Sequence, residues 1–320
     1  MGEFAAIGAA LAFGFASTLF SLSGRTYGPL LVMQGSVPIG LLCIAILNLL
    51  TSGYLLPHDT PLATWVWLSL SGANGFWLAS ICLLNAFKRI GPRLALLIGA
   101  VNPILSAVLA WIFLDQSLQA IAIVGILLTI VGISIVVTEG NIIRDGIDPK
   151  EFRLGIIFAL IAASLQAGSF VFSTLGLAAI VDPLPANLAT LSPTFSHIHA
   201  LIPLSLNPLS ASLIRLASAT IVLWLLALFQ GQLRENLTTL IRFPVALRYL
   251  MGAAVMGTVV GALLVLIALQ NAPVGIATTL INLTPIFLIP IGYVIFKERI
   301  SSRAVVGTLV AMAGIAIIFV

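Results

Sequence analysis

Apolar runs about twenty residues long follow one another along this chain, separated by short polar connections. Ten segments emerge as candidate spans: 4–23, 29–50, 65–87, 92–114, 119–138, 154–175, 210–229, 247–269, 274–296 and 303–320. An α-helix needs roughly 20 apolar residues to cross a hydrocarbon core about 30 Å thick. Barrel strands would instead alternate apolar and polar positions over about ten residues, and these runs are continuous. Connections such as "DQSL" at 115–118 and "QNAP" at 270–273 make consecutive helices antiparallel neighbours. No Lys or Arg precedes the run 4–22, so it reads as a first spanning helix and not as a secretory signal.

Two stretches break this rhythm. Residues 139–153, "EGNIIRDGIDPKEFR", are the most polar and act as a linker between halves 1–138 and 154–320. The connection 176–209 carries Pro183, Pro185, Pro193, Pro203 and Pro208. Prolines at that density oppose an eleventh span and suggest a surface loop or a short re-entrant piece.

The halves repeat each other. "VNPILSAVLAWIFLDQS" at 101–117 echoes "LTPIFLIPIGYVIFKER" at 283–299, with Pro103 and Pro285 separated by 182. Gly75 and Gly257, Gly125 and Gly307, and Gly132 and Gly314 share that offset. The first helices align at 147, through Ala12 with Ala159, Ala16 with Ala163, and Ser17 with Ser164. Five spans per repeat is an odd number, so the second copy lies upside down. The expected fold is an all-α membrane protein of ten transmembrane helices in two inverted five-helix repeats. Such repeats place a substrate site near the midplane, and proline-interrupted helices in corresponding positions point to it. A proline frees a carbonyl, which is tolerable where the backbone faces protein or a wet cavity.

Composition agrees. Hydrophobic residues make up 60% of the chain and charged ones 8%, with a mean hydropathy of +1.19. Soluble domains carry about 25% charged residues, so this chain could not clothe itself against water. Its net charge of +4 comes from basic residues at helix ends, with no stripe to read as a nucleic-acid surface. Cys43 and Cys82 fall inside apolar runs and read as packing. His197 and His199 form a His-x-His without further ligands close by, so no metal is expected. No nucleophile–base pairing, phosphate-cradling loop or Cys-x-x-Cys appears, so neither catalytic residues nor a cofactor are expected.

A Gly/Pro connector, an apolar helix with a central proline, a charged turn and a glycine-spaced last helix follow one another in both halves. They read "NAPVGIATTLINLTPIFLIPIGYVIFKERISSRAVVGTLVAMAGIAI" in the second and "IGPRLALLIGAVNPILSAVLAWIFLDQSLQAIAIVGILLTIVGI" in the first. This pattern resembles the EamA family of drug/metabolite transporters. The resemblance implies a ten-helix basket, with the third, fourth, eighth and ninth spans and parts of the first and sixth around a central cavity. It departs at Gln116, where the family usually has an acid that Glu298 keeps.

The expected substrate-binding residues are neutral and polar. Asn74 and Asn85 share a helical face beside Trp77; they could bind a solute or bridge helices. Asn102, Pro103 and Ser106 in the fourth span face a counterpart set, Thr278, Asn282, Thr284 and Pro285, in the ninth. Gln166 of the sixth span could face both. Arg215, near the start of the seventh, reads as snorkelling to the headgroups in preference to meeting an anion. The function expected is a secondary transporter of a small polar metabolite, such as an amino acid, working by alternating access. Partners are a small-molecule substrate and the lipid bilayer, with no nucleic acid, in a monomer or homodimer of the plasma membrane, read as a bacterial inner membrane. A lipid-headgroup flippase would need a basic groove, and a receptor or enzyme a soluble domain or an intramembrane carboxylate cluster. All ten acids lie in loops, at the chain start or at helix ends. That distribution points to a neutral or zwitterionic solute moving without an obligatory proton.

Charge also sets an orientation. Of fourteen Lys and Arg, all except Arg215 fall on one side of the ten-span scheme, which the positive-inside rule makes cytoplasmic. Both termini are then extracytoplasmic, opposite to the family's usual reading. A cysteine placed at the C-terminus should react with an impermeant reagent added outside; protection overturns this orientation.

Overall fold

The computed structural model describes residues 1–57, 60–116, 118–137, 148–178, 206–284, 286–287 and 302–318. Among these there is no strand. Helix α1 spans Gly2–Tyr27 and α2 Pro29–Ser52. Next come α3 (Leu62–Gly72), a π-helical stretch (Ala73–Ala79) and α4 (Ser80–Gly99). Helices α5 (Asn102–Leu114) and α6 (Ala120–Val137) complete the first half. In the second half, α7 is Pro149–Ala178, α8 Pro208–Phe229 and α9 Leu233–Arg242. Helix α10 (Pro244–Ala253) passes through a second π-helical stretch (Ala254–Gly261) into α11 (Ala262–Asn271). Helices α12 (Val274–Ile281) and α13 (Ser302–Ile318) follow.

Six of the described helical segments are long and apolar enough to span a membrane: Gly2–Gly24, Leu30–Ser52, Leu62–Leu83, Pro149–Leu177, Pro208–Phe229 and Pro244–Asn271. Three more, Asn102–Leu114, Ala120–Ile135 and Val305–Ile317, are apolar and shorter. Their outward faces carry Leu42, Trp111, Leu127, Ile221 and Leu309, all largely exposed. An exposed apolar belt of this kind suits a lipid surrounding. The interior is rich in small residues, with Ala6, Ala9 and Ala10 of α1 fully buried against α11 and α12. Small side chains let helices approach closely, which is how helices gain packing in a bilayer.

The two halves interlock. Helix α1 packs on α10, the second π stretch, α11 and α12, while α7 packs on α3, the first π stretch, α4 and α5. The closest approaches correct the register of the first helices. Gly2 lies against Ala272, its missing Cβ 2.8 Å from that of Ala272, and Gly155 lies against Ile90. The partners differ by 182 (272 − 90), but the glycines differ by 153 (155 − 2). The alignment at 147 is therefore six residues out. Alanines recur so densely in both helices that they match at several offsets.

Helices α6 and α13 form the other pseudosymmetric contact. A Cβ on Gly132 would stand 2.6 Å from the carbonyl oxygen of Gly307, and one on Gly314 2.7 Å from that of Gly125. Position 125 meets 314 and 132 meets 307, so the two helices run antiparallel.

Several boundaries differ from expectation. The expected connection between spans 65–87 and 92–114 is absent, because the helix continues through Gly91 and Pro92 to Gly99. Ala86, Ile90 and Ala95 lie along Ala159 of α7, and Arg89 pairs with Glu151 at 3.1 Å and stacks over Phe158. That continuous neighbour outweighs the local turn signal. The break comes instead at Ala100–Val101, and its counterpart is the turn at Asn282–Leu283, again 182 later. Pro103 is thus the second residue of a new helix, where no amide proton is needed, and not a kink within one. Pro285 lies outside the described residues, as do residues 179–205 of the long connection. Helix α7 starts within the stretch read as linker. Helix α9 was not expected; Leu233, Leu237, Leu240 and Ile241 give it one apolar face, suited to an interfacial position. The Tyr27 hydroxyl fastens its end, donating to the carbonyls of Leu240 (2.8 Å) and Phe243 (2.9 Å).

Gly132→Val should lower the melting temperature of purified protein, since overpacking a tight contact costs about 1–3 kcal/mol. Gly24→Ala, whose Cβ would meet nothing within 4 Å, should leave it unchanged or raise it. Equal effects would mean that the α6–α13 contact does not hold the halves together.

Candidate functional site

Two cavities lie between the halves. The first, of about 230 Å³, is lined by Phe13 and Phe20 of α1, Met33 and Val37 of α2, Gln166 and Phe170 of α7, and Arg215 of α8. Both π stretches reach it, through Gly75 and Phe76 and through Gly257 and Thr258. The second, of about 280 Å³, is lined by Ser17, Gly99, Ala100, Asn102, Gln166, Asn282 and Thr284 among others. Ser80 and Gln166 border both.

Each cavity is built on duplicated irregular backbone. The π stretches occupy equivalent places, with Gly75 and Gly257 182 apart. Such turns insert a residue into the helical ladder and recur at functional sites. Both glycines admit a close neighbour: Gly75 meets Ser169, and Gly257 meets the Ala16 Cβ at 2.8 Å. At the second cavity the side chains beside the second break turn back onto backbone carbonyls. The Asn282 amide donates to the Thr278 carbonyl (2.8 Å), and the Thr284 hydroxyl donates to Ile281 (2.9 Å). Ser106 donates to the Asn102 side-chain oxygen (2.9 Å), which leaves the Asn102 amide protons to the cavity.

Of the residues expected at the site, Asn102, Gln166, Asn282 and Thr284 line these cavities. The others sit elsewhere. Asn74 donates to Leu165 (2.7 Å) and bridges to α7. The Trp77 ring packs among Val37 and Leu213, its indole nitrogen buried without a partner. Asn85 donates to Ile81 (2.9 Å) and accepts from Arg89 (3.0 Å), toward the Arg89–Glu151 pair. Ser106 and Thr278 are fully buried, Thr278 bonded to the Val274 carbonyl at 2.8 Å, and Pro103 starts α5. Pro285, His197 and His199 lie outside the described residues. Gln116 caps α12, its side-chain oxygen accepting from the Val274 amide at 3.0 Å. No cluster of metal-ligating side chains occurs among the described residues.

Arg215 overturns two expectations. It is only 4% exposed and faces the first cavity instead of snorkelling. The cavity helices therefore do not carry neutral polar groups alone. A signal was available in the sequence. Asn207 caps α8 by accepting from the Leu209 amide (3.0 Å), and Pro208 opens the helix. That start places Arg215 seven residues inside, about 10 Å along the axis. The phenylalanines of the first cavity were also missed, since aromatic residues in apolar spans look like ordinary packing.

The EamA-like transporter family matches residues 1–138 and 188–320, most of the chain. The chain belongs to that family. Its members are membrane transporters, and this one is a multi-pass helical membrane protein of that kind. Curated proteins give no match. A solved crystal structure superposes on this EamA protein with a TM-score of 0.71 at 15% identity, covering 99% of this chain and 95% of that one. At that identity the likeness concerns fold alone.

Beside the cavities, Ser71 donates to the Ser169 carbonyl (2.7 Å), Ser169 donates to the Ser71 carbonyl (2.8 Å), and Ser71 and Ser173 share a hydroxyl contact of 2.7 Å. This dry knot ties α3 to α7. Ser71→Ala should lower stability by about 1–3 kcal/mol by stranding buried partners. Ser80→Ala, which loses one 3.4 Å bond at a cavity wall, should stay within about 0.5 kcal/mol. Thermal melts of the two variants check the contrast.

Proposed function

We propose that this EamA-like protein is a secondary transporter of a small polar metabolite such as an amino acid, working by alternating access between two inverted five-helix repeats. The observation that carries the reading is the pair of chain breaks at Ala100–Val101 and Asn282–Leu283, 182 residues apart and flanking one cavity. A bilayer tolerates broken helices only where they face protein or water, and duplicated ones mark transporter sites. The antiparallel contact of α6 with α13 supports inversion, because equivalent helices of the two halves run in opposite directions. The Thr284 hydroxyl supports a permanent break: it donates to the Ile281 carbonyl that Pro285 leaves without an amide, so the break needs no ligand to persist. The proposed setting is a bacterial inner membrane with both termini outside. Glu3 and Glu151 lie in the first turns of their helices, paired with the N-terminal amine at 3.4 Å and with Arg89 at 3.1 Å; with no acid deeper in a described span, the cycle needs no proton.

A thermal-shift screen of purified protein against metabolites identifies the solute, since a ligand of the folded state alone raises stability. In liposomes its flux should follow its own gradient at equal pH, and an imposed pH gradient should not drive accumulation. Asn102→Leu and Thr284→Val should each cut flux at least tenfold when compared at equal amounts of folded protein, since each also removes a partner, of the Ser106 hydroxyl or the Ile281 carbonyl, at a cost of about 1–3 kcal/mol. Full transport by both variants would sink the assignment of this cavity, and uphill accumulation driven by pH would sink the uncoupled cycle.

A further inference from the structure

The first cavity holds a cation with no counterpart among the described residues. Arg215 is buried, and its Nε has no hydrogen-bond partner. No acid among the described residues pairs with it. Its one described charge-related contact is with the ring of Phe76, 5.6 Å from the guanidinium carbon. A cation–π contact contributes about 0.5–2 kcal/mol, while withdrawing a charge from water costs several. The deficit needs a further partner. The backbone around Arg215 is fixed: its carbonyl oxygen abuts Gly72 of α3 and accepts from Ser218 (2.9 Å), and Ser218 also reaches the Ser69 carbonyl (3.2 Å). The backbone that carries the guanidinium is thus held in the wall, and the Phe76 ring lies against the guanidinium itself.

Around it stand Phe13, Phe20, Phe76 and Phe170, from three different elements. A planar fork of donors matches a carboxylate in a bidentate pair, and four rings offer an apolar body a place to rest. We propose that Arg215 anchors the carboxylate of the transported solute, whose apolar part lies among these four rings. The inference rests on the transport reading but concerns binding. It selects organic carboxylates over their neutral counterparts. Gln166, on the border of both cavities, is placed to meet a polar group at the far end of a longer solute.

The test compares 3-phenylpropanoate, 3-phenylpropanamide and inorganic phosphate as probes of purified protein, by thermal shift and calorimetry at one pH and ionic strength. The carboxylate should stabilise the protein and bind at least tenfold tighter than the amide. Arg215→Gln should erase that preference, whereas Arg215→Lys, a point charge without the fork, should keep it with weaker binding. If Arg215→Gln fails to fold, the wild-type comparison and the Lys variant still decide. Equal binding of acid and amide overturns the proposal, and so does a response to phosphate or anionic lipid vesicles but not to the carboxylate. Proteoliposome flux separates the two readings. Carboxylate binding lost in Arg215→Gln but without any flux sustains the anchor and removes the transporter, while flux of neutral solutes alone does the reverse.

Discussion

Every peptide group within a bilayer must find its hydrogen bond inside the protein, and the architecture of this chain follows from where that rule is relaxed. Most of the chain obeys it as helix. Among the described residues, two π stretches and two chain breaks depart from it, and these four lie against cavities between the halves. Their placement is duplicated along with the sequence. A side chain supplies a missing donor locally, as Thr284 does for the Ile281 carbonyl, which Pro285 leaves without an i+4 amide. Polar residues beside the breaks therefore serve backbone and cavity together, and their presence alone does not separate the two roles.

Close packing provides the counterweight. Gly132 and Gly314 let α6 and α13 touch backbone to backbone, and the alanines of α1 let it sink among α10 to α12. Hydrophobic burial gives little preference between lipid and protein neighbours, so such contacts and interhelical hydrogen bonds hold the helices together. The Ser71–Ser169–Ser173 knot does this beside the first π stretch, where the helical ladder is weakest. The rigid and the loosened parts of α3 are one turn apart.

The six long apolar segments were legible in the sequence, because apolar length carries its own physical meaning, and the offset of 182 falls on the two π stretches and the two chain breaks. Other features depended on neighbours. The Gly91–Pro92 turn signal yielded to α7, whose Ala159 and Phe158 continue the packing past it. The six-residue error in aligning α1 with α7 arose because alanine-rich helices resemble themselves at many registers. Arg215 was misjudged from its distance to the edge of a hydropathy window. The Asn207–Pro208 start of α8 would have placed it well inside the span. Within the candidate site, Asn102 and Thr284 beside the prolines lie at a cavity, whereas Asn74 bridges to α7 and Asn85 bonds within its own helix.

The two offsets, 182 for the later spans and 153 for the first helices, differ by 29 residues. The second half thus holds an insertion between its first helix and the remainder, with no match in the first half. Closing a longer connection adds little entropy cost, about 0.6 kcal/mol per doubling, so the fold carries it easily. Its effect is on parity. Two inverted copies of one sequence would give the inward-open and outward-open shapes equal free energy, each being the other turned over. On the inverted-repeat reading, an insertion confined to one copy breaks that equivalence. On the transport reading the two shapes are then unequal at rest, and the carrier waits with one particular side open.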